Sequence, residues 1–366
     1  MNHVTRKGNR SNPAGKPDIR TVASLARVSI ATVSRTINGS SAVSDKLSKR
    51  VWQAIEQLDY YPNTHARSLV SGRSRILGII VENITNPFFP ELIASFEEIA
   101  VAHGYEILVS SANIDNASQI TTSVRRMLER KVEGVAVLTF GSEETVLDQL
   151  TAHRMPLVLC EFEVEDPAVS TILIDYSTGI HAAVEHLVEL GHRRISFLAG
   201  PHTLHSAITR RESFLAAAQK CGLKIASNWI VECDHTLKGG DAGFGKLLAL
   251  KSRPTAVVCS NDMTAIGVLH AAHKANLRVP QDISVIGLDD IAFTDYTLPP
   301  LTTIRLSRMD LAKAAFDALR LQAEAAANPG ANPGTNPGTH ASSGPQRTFS
   351  VSTSLVVRES TSAPPA

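Results

Sequence analysis

Between residues 76 and 288 the chain runs twice through one alternation, in which short apolar runs rich in β-branched residues are separated by amphipathic helical stretches. The runs fall at 76–81, 105–110, 134–140, 157–161 and 171–174, and again at 195–199, 229–232, 255–259 and 284–288. Such alternation builds βαβ units with parallel strands and right-handed crossovers, because a parallel strand can be reached only by a crossover long enough to hold a helix. Two series of about 100 residues each, an ordinary domain size, predict two doubly wound α/β lobes. Ligands of such folds gather outside the carboxyl ends of the strands, so the cleft between the lobes is the expected site. A chain of 366 residues, 43% apolar, has the material for several packed units.

Before residue 76 the texture is different. Residues 1–17 are polar, rich in Asn, Gly and Pro, and carry no apolar period, which predicts a disordered arm. Three short helices follow. Asp18 caps a helix carrying Ile19, Val22, Ala23 and Ala26; Ser29 caps a second with Val33 and Ile37, stopped at Asn38-Gly39. Ser44 caps a third with Leu47, Val51, Ile55 and Leu58, ended by Tyr60-Tyr61-Pro62. A helix-turn-helix needs small residues where its two helices cross and polar residues on the outer face of the second. Ala23 and Ala26 leave that room, Val28 and Val33 fill the space between the helices, and Ser29, Ile30, Ala31, Thr32, Ser34 and Arg35 face outward. An ordinary three-helix cap with solvated polar faces fits the same pattern.

Charge and the following segment favour DNA. Residues 1–75 hold 13 Lys and Arg against 4 Asp and Glu, a net of +9; the whole chain is +1, so the remainder is −8. In the polar stretch 62–72, Leu69 and Val70 join no apolar period. An apolar wedge flanked by Arg67 and Arg73 suits insertion into a minor groove, on a short helix that forms only when paired on DNA.

Other features are read more plainly. No opening stretch has the form of a secretory leader, and no apolar run approaches the roughly 18 residues of a membrane helix, which predicts a cytoplasmic protein with no membrane partner. Cys160, Cys221, Cys233 and Cys259 are scattered and read as reduced core thiols. The run from Gly240 to Leu247 fits G-x-x-x-x-G-K but lacks the hydroxyl that a phosphate-binding loop needs for its magnesium. His181, His186 and His192 are spaced five and six apart, off a shared helical face, so no metal is expected. No catalytic constellation stands out. A three-fold Asn-Pro-Gly repeat at 328–339 cannot bury a core and predicts a flexible insertion at 325–345, after which a β-like stretch returns at 349–357.

The run Val28-Ser29-x-Ala31-Thr32-Val33-Ser34-Arg35-x-x-Asn38-Gly39, with Tyr61-Pro62-Asn63 and Ala66-Arg67-Ser68-Leu69 downstream, resembles the lactose-repressor/galactose-repressor family of bacterial transcription regulators. Asn86-Pro87-Phe88-Phe89, Glu185-His186-Leu187, Gly191-His192-Arg193, Asn261-Asp262, the run from Pro280 to Gly287 and Pro300-Leu301-Thr302-Thr303-Ile304 extend the likeness over about residues 18–320 and 349–360. The resemblance implies an all-α head at 18–62, a hinge helix and linker at 63–75, and a periplasmic-binding-protein-like body at 76–324 and 346–360. Its first lobe would span about 76–175 plus 291–310, and its second about 176–290 plus the C-terminal segments.

Several functional expectations follow from that likeness. The protein would be a homodimeric repressor on palindromic double-stranded operator DNA, with no cofactor and no enzymatic activity, controlled by a small molecule held between the lobes. DNA contacts would come from Ser29, Ile30, Ala31, Thr32, Ser34, Arg35, Asn38, Arg67 and the wedge Leu69. Effector contacts would come from Phe88, Phe89, Glu161, Arg210, His235, Asp262 and Asp289. Arg210 and Asp289 can bracket vicinal hydroxyls, Glu161 can accept from another, and Phe88 or Phe89 can stack on a ring, which suits a sugar or nucleoside-like ligand. A plain salt bridge between Arg210 and Asp289 is the other reading. Departures from the family pattern are Arg27 at a turn position usually Gly or Asn, Thr21 for a usual Asp, His235 where an aromatic is frequent and Ser307 for a frequent Pro. A two-lobed body also suits a sugar-binding transport component, against which stand the basic head and the missing leader.

Overall fold

The structure, a computed structural model, describes residues 17–37, 42–61, 73–111, 117–139, 155–161, 169–327 and 348–365. The arm at 1–16, Asn38, the hinge segment 62–72 with Arg67 and Leu69, and the repeat at 328–347 lie outside the described residues. Contacts divide the chain into two units, residues 1–74 and 75–366.

The first unit is built from α1 (Ile19–Ala26), α2 (Ile30–Ile37) and α3 (Asp45–Gln57). Val22, Ala23, Ala26, Val33, Val51, Ala54 and Ile55 form its core, with Val28 packed at the edge. Asp18 caps α1 as its sequence position predicts, accepting from the Thr21 amide at 2.8 Å. Ser44 occupies the cap position of α3, but its hydroxyl makes no capping bond. The third helix also ends earlier than the Tyr-Tyr-Pro signal suggests, at Gln57. Asp59 takes φ +47, and the Tyr60 amide returns to the Ile55 carbonyl at 3.0 Å. That closing bond satisfies an orphan carbonyl before the proline is reached.

The second unit begins with β1 (Ile76–Val81), α4 (Phe88–Ala102), β2 (Glu106–Ser111), α5 (Ala117–Glu129), β3 (Val135–Leu138), β4 (Leu157–Cys160) and β5 (Val169–Asp175). It crosses over through α6 (Tyr176–Glu189) to β6 (Ile195–Ala199), α7 (His205–Lys220), β7 (Ile230–Glu232), α8 (Leu237–Leu248), β8 (Ala256–Cys259), α9 (Asp262–Lys274) and β9 (Ser284–Asp289). It closes with β10 (Thr302–Leu306), α10 (Arg308–Ala327) and β11 (Thr348–Val356). The strand order is β2-β1-β3-β4-β5-β11-β10-β9-β8-β6-β7. Each half therefore has the same winding: the strand order is second, first, third, fourth, fifth when counted from its own first strand. β11 joins them, running parallel to β5 through residues 348–352 and antiparallel to β10 through 353–356.

This topology corrects two expectations. Residues 291–310 do not belong to the first lobe as a block: β10 pairs with β9 in the second sheet, from Thr302 opposite Ile286 to Arg305 opposite Asp289. The chain returns to the first lobe only with α10, where the Gln322 amide donates to the Leu157 carbonyl and to the Ser170 hydroxyl. α10 also runs on to Ala327, beyond the predicted start of the insertion at 325. β10 itself is not among the predicted strands, because Thr302 and Thr303 read as polar although both are fully buried.

The glycine-rich run from Gly240 lies inside helix α8 and shapes a crossing. A Cβ on Gly240 would sit 2.1 Å from the Thr264 carbonyl oxygen of α9, so only glycine permits the two helices to approach this closely. His186 and His192 are engaged with the C-terminal segment, His186 with the Thr361 hydroxyl and His192 with the Ser362 carbonyl. Among the described residues no helix is long and apolar enough to cross a membrane.

Phe316 of α10 is 1% exposed and meets Phe96 of α4 edge-on with ring centres 6.4 Å apart. Phe316→Ala is expected to destabilise the body by about 3–5 kcal/mol, the loss typical of a truncated core phenylalanine. Urea unfolding followed by far-UV circular dichroism measures it, and a change under 1 kcal/mol would remove α10 from the first lobe's core.

Candidate functional site

In the head, one face of α2 is left to solvent. Ser29, Ile30, Ala31 and Arg35 are exposed, and Thr32 and Ser34 are half-buried. Val33 and Thr36 point inward instead, the latter donating to the Thr32 carbonyl at 2.9 Å. The Ser29 hydroxyl accepts from the Thr32 amide at 3.1 Å, so it caps α2 as well as facing outward. The turn before it depends on Arg27, which takes the left-handed conformation, φ +52, that glycine would hold more cheaply. Arg50 of α3 secures that turn by donating to the Ala26 carbonyl at 2.5 Å and the Arg27 carbonyl at 3.2 Å. Sequence patterning had no means of singling out Arg50, because its partners are backbone atoms.

In the body, a cavity of about 520 Å³ opens between the lobes. Its walls are the segments that follow the carboxyl ends of β1, β6, β7 and β8, with Asp289 at the end of β9, and so it sits at the switch points of both windings. Phe88 and Phe89 line it from the first lobe, both nearly inaccessible and set edge to face with centres 5.6 Å apart. Arg210, His235 and Asp289 line it from the second. These five expected residues are brought together.

Arg210 is 3% exposed. A buried guanidinium must be partnered. It donates to the Ser260 carbonyl at 2.8 Å and to the Tyr176 hydroxyl at 3.0 Å, lies 4.5 Å over the Tyr176 ring, and stands 4.0 Å from Asp289. Tyr176 passes the connection on to Glu161, donating at 3.4 Å. Glu161 therefore stands behind the cavity rather than on its wall. Burial pushes its carboxyl up to about 7, against the opposing pull of Arg210 and of the Tyr176 hydroxyl. Asp289 is also pushed well up by burial, against the pull of Arg210.

Asp262 is placed differently from the expectation. It is fully buried, accepting from the Thr303 hydroxyl at 2.6 Å and from the Ile291 amide at 2.9 Å, and it lies off the cavity wall. Both of its oxygens are occupied in joining α9, β10 and the segment after β9. The Asn261 beside it does reach the wall while capping α9 at the Thr264 amide.

His235 takes φ +62 and fits under Gly200, where a Cβ would fall 1.9 Å from its Nε2. That nitrogen is 2.9 Å from the Ser260 hydroxyl. Glu161 and Asp289 share the positive φ, at +64 and +123. Backbone held in sparsely populated regions marks places where the surroundings over-determine a conformation. Asn83, Asn86 and Ser206 also line the cavity; none is an expected effector contact, because short polar residues in a loop or at a helix start carry no period that marks them.

A three-helix head with an open recognition face, joined to a two-lobed body with a cavity at its switch points, defines a DNA-binding regulator built on a periplasmic-binding-protein-like fold. Residues 18–63 match the family model of bacterial regulatory proteins, lacI family, and residues 184–361 match a periplasmic binding protein-like domain. The chain is 32% identical over 302 residues to the HTH-type transcriptional repressor PurR of Photobacterium profundum, spanning 82% of this chain and 90% of that one. It is 32% identical over 301 residues to the ribose operon repressor of Haemophilus influenzae, with 82% and 90% covered. Among solved structures it is similar to the lac repressor dimer bound to operator and the anti-inducer ONPF, with a TM-score of 0.79, 26% identity, and 95% of this chain and 100% of that one covered. The chain belongs to the lacI family of DNA-binding transcriptional repressors. Its named relatives are repressors rather than enzymes or transport components.

Burial, and then Arg210, lowers His235 from the ordinary 6.5 to about 3. The folded body thus holds a neutral imidazole while the unfolded chain takes up a proton below about pH 6.5. Stability contributed by His235 is present above that pH and is lost as pH falls toward 3. By pH 5.5 the loss reaches about 1 kcal/mol. His235→Gln is expected to remove that part of the pH dependence in urea unfolding at pH 7.5 and 5.5; identical slopes in the two proteins would show that the imidazole titrates freely.

Proposed function

We propose that the chain represses transcription as a homodimer on a palindromic operator, and that a sugar or nucleoside-like effector bound in the interlobe cavity controls its hold on DNA. The observation that carries the effector half is the Arg210–Asp289 pair, which faces the cavity at 4.0 Å, too wide for a closed bidentate bridge and suited to a ligand hydroxyl between the two. Glu161 would act through Tyr176, tuning the guanidinium rather than touching the ligand. Phe88 and Phe89 would offer an apolar edge to a ring. Asp262 would hold the second lobe's loops in place, a positioning role.

The DNA half rests on the outward face of α2. Ser29, Thr32 and Ser34 would donate to phosphates, Arg35 would read guanine, and Ile30, 46% exposed, would contact thymine methyls beside Ala31. Asn38, Arg67 and Leu69 complete the contacts by their sequence positions, with Leu69 as the wedge that unstacks a base step. One of the relatives carries the name ribose operon repressor, which is compatible with a ligand that has a ribose-like set of hydroxyls. The proposed setting is the cytoplasm, where the operator is.

Operator affinity measured by fluorescence anisotropy is expected to fall with salt at a log–log slope near −0.9 per phosphate neutralised. Leu69→Ala is expected to weaken operator binding by about tenfold or more while leaving the unliganded protein's melting point unchanged. A salt-independent affinity for every duplex tested would end the DNA reading, and wild-type affinity in the variant would end the wedge assignment alone.

A further inference from the structure

The cavity carries a pattern of charge that narrows its ligand. Its described lining contains the carboxyl groups of Glu82, Asp234 and Asp289 against one cation, Arg210, with Asp289 pushed by burial toward its neutral form and Glu82 and Asp234 left to set the sign. Two of the Arg210 guanidinium nitrogens are already engaged, by the Ser260 carbonyl and the Tyr176 hydroxyl, and the Tyr176 ring lies against it. His235 adds no positive charge near neutral pH, since burial holds it neutral.

Helix N-termini are the other usual seats for anions, and α4, α7, α8 and α9 start at this cavity with their first turns described. Three already have their first turn capped by the protein's own side chains. The Asn86 carbonyl oxygen accepts from the Phe88 amide of α4 at 3.1 Å, the Thr236 hydroxyl from the Gly239 amide of α8 at 3.0 Å, and the Asn261 carbonyl oxygen from the Thr264 amide of α9 at 2.9 Å. The fourth, α7, has no side-chain cap, and its open N-terminus has Asp234 and Asp289 across the same cavity.

Asp289 adds an independent sign. Its side chain is 5% exposed, and no hydrogen-bond donor among the described residues reaches its carboxylate; the nearest cation is the Arg210 guanidinium at 4.0 Å. The neighbouring carboxylates are all satisfied: Asp262 by Thr303 and the Ile291 amide, Asp290 by Arg305 and Arg358, Asp234 by Thr236. A buried carboxyl without a hydrogen-bond partner, facing a cavity, is completed by a ligand group that can both donate and accept. Hydroxyl groups do so. Phosphate and carboxylate groups bring only acceptors and charge of the wrong sign.

We infer that the cleft discriminates by charge, admitting an uncharged polyhydroxylated ligand such as a free sugar or nucleoside and excluding the phosphorylated form of the same molecule. The inference rests on the reading of this cavity as the effector site and adds the rejected class. It makes the regulator a sensor of the unphosphorylated member of a pair, so that any reaction transferring a phosphoryl group to the ligand's hydroxyl would remove the signal.

The test is a melting-point screen followed by isothermal titration of the full chain with matched probes: ribose and ribose 5-phosphate, glucose and glucose 6-phosphate, adenosine and its 5′-monophosphate, with hypoxanthine as a base lacking hydroxyls. At least one neutral hydroxylated probe is expected to bind, its phosphorylated partner binding about 100-fold more weakly or not at all. Asp289→Asn is expected to weaken the neutral probe by about 30-fold, read at a temperature where both unliganded proteins are folded. A phosphorylated probe that binds as tightly as its neutral partner overturns the charge inference and leaves the effector site intact. Binding of hypoxanthine alone overturns the hydroxyl requirement. If no probe binds, the reading of the cavity as a sugar or nucleoside site fails with it. The comparison of neutral with phosphorylated probes is made on the wild type and holds even if the variant does not fold.

Discussion

A guanidinium can be kept 3% exposed only if the fold brings partners to it, and the partners of Arg210 come from segments far apart in the chain. Tyr176 opens the first crossover helix, Ser260 follows β8, Asp289 ends β9, and Glu161 follows β4 in the other lobe. The two windings, the crossover and the cavity all have to be in place for these groups to meet. Burial of the charge thus couples the shape of the cleft to the packing of both lobes. The strand β11, shared by the two sheets, supplies the mechanical counterpart by hydrogen bonding to β5 and β10 in turn.

A second tie crosses the same region. Glu91 of α4 accepts from the Arg308 guanidinium at 2.9 Å and from the Ala292 amide at 3.0 Å, while Arg308 also donates to the Asp289 carbonyl at 2.9 Å. A ligand that draws on the Asp289 side chain therefore acts on a residue whose backbone is held by a first-lobe carboxylate through one arginine. This is the kind of contact whose equilibrium a ligand can bias, because its geometry depends on how the lobes are set. What such a contact transmits depends on the difference in ligand affinity between the two settings.

Much of the architecture was legible in the sequence because βα alternation is a property of local patterning. Ten strands, counting the β-like stretch at 349–357, are expected and observed with their ends within two residues. The strand that escaped, β10, is buried on both faces and begins with two threonines, so neither alternation nor apolarity marks it. Lobe membership of 291–310 was misread for a related reason: strand pairing is set by contacts over long sequence distances. In the head, the family pattern puts Arg27 at a turn position usually Gly or Asn, and its φ of +52 agrees with that turn. The occupied state of Asp262 was not foreseeable, because Thr303 and the Ile291 amide become its neighbours only in the folded lobe. Tyr176 was passed over entirely; a tyrosine at the start of a helix signals nothing until a buried arginine is found stacked on it.

We propose that effector binding in the body and operator binding by the head share one equilibrium. Linkage makes this measurable as a reciprocity: whatever factor separates ligand affinity in free and operator-bound protein must equal the factor by which the ligand changes operator affinity. Titration of a neutral sugar or nucleoside that binds the free protein, repeated on the protein saturated with its operator, measures the first factor directly. Two dissociation constants that differ by about 5-fold or more are expected, in either direction, while equal constants in the two titrations would show that ligand and operator bind independently.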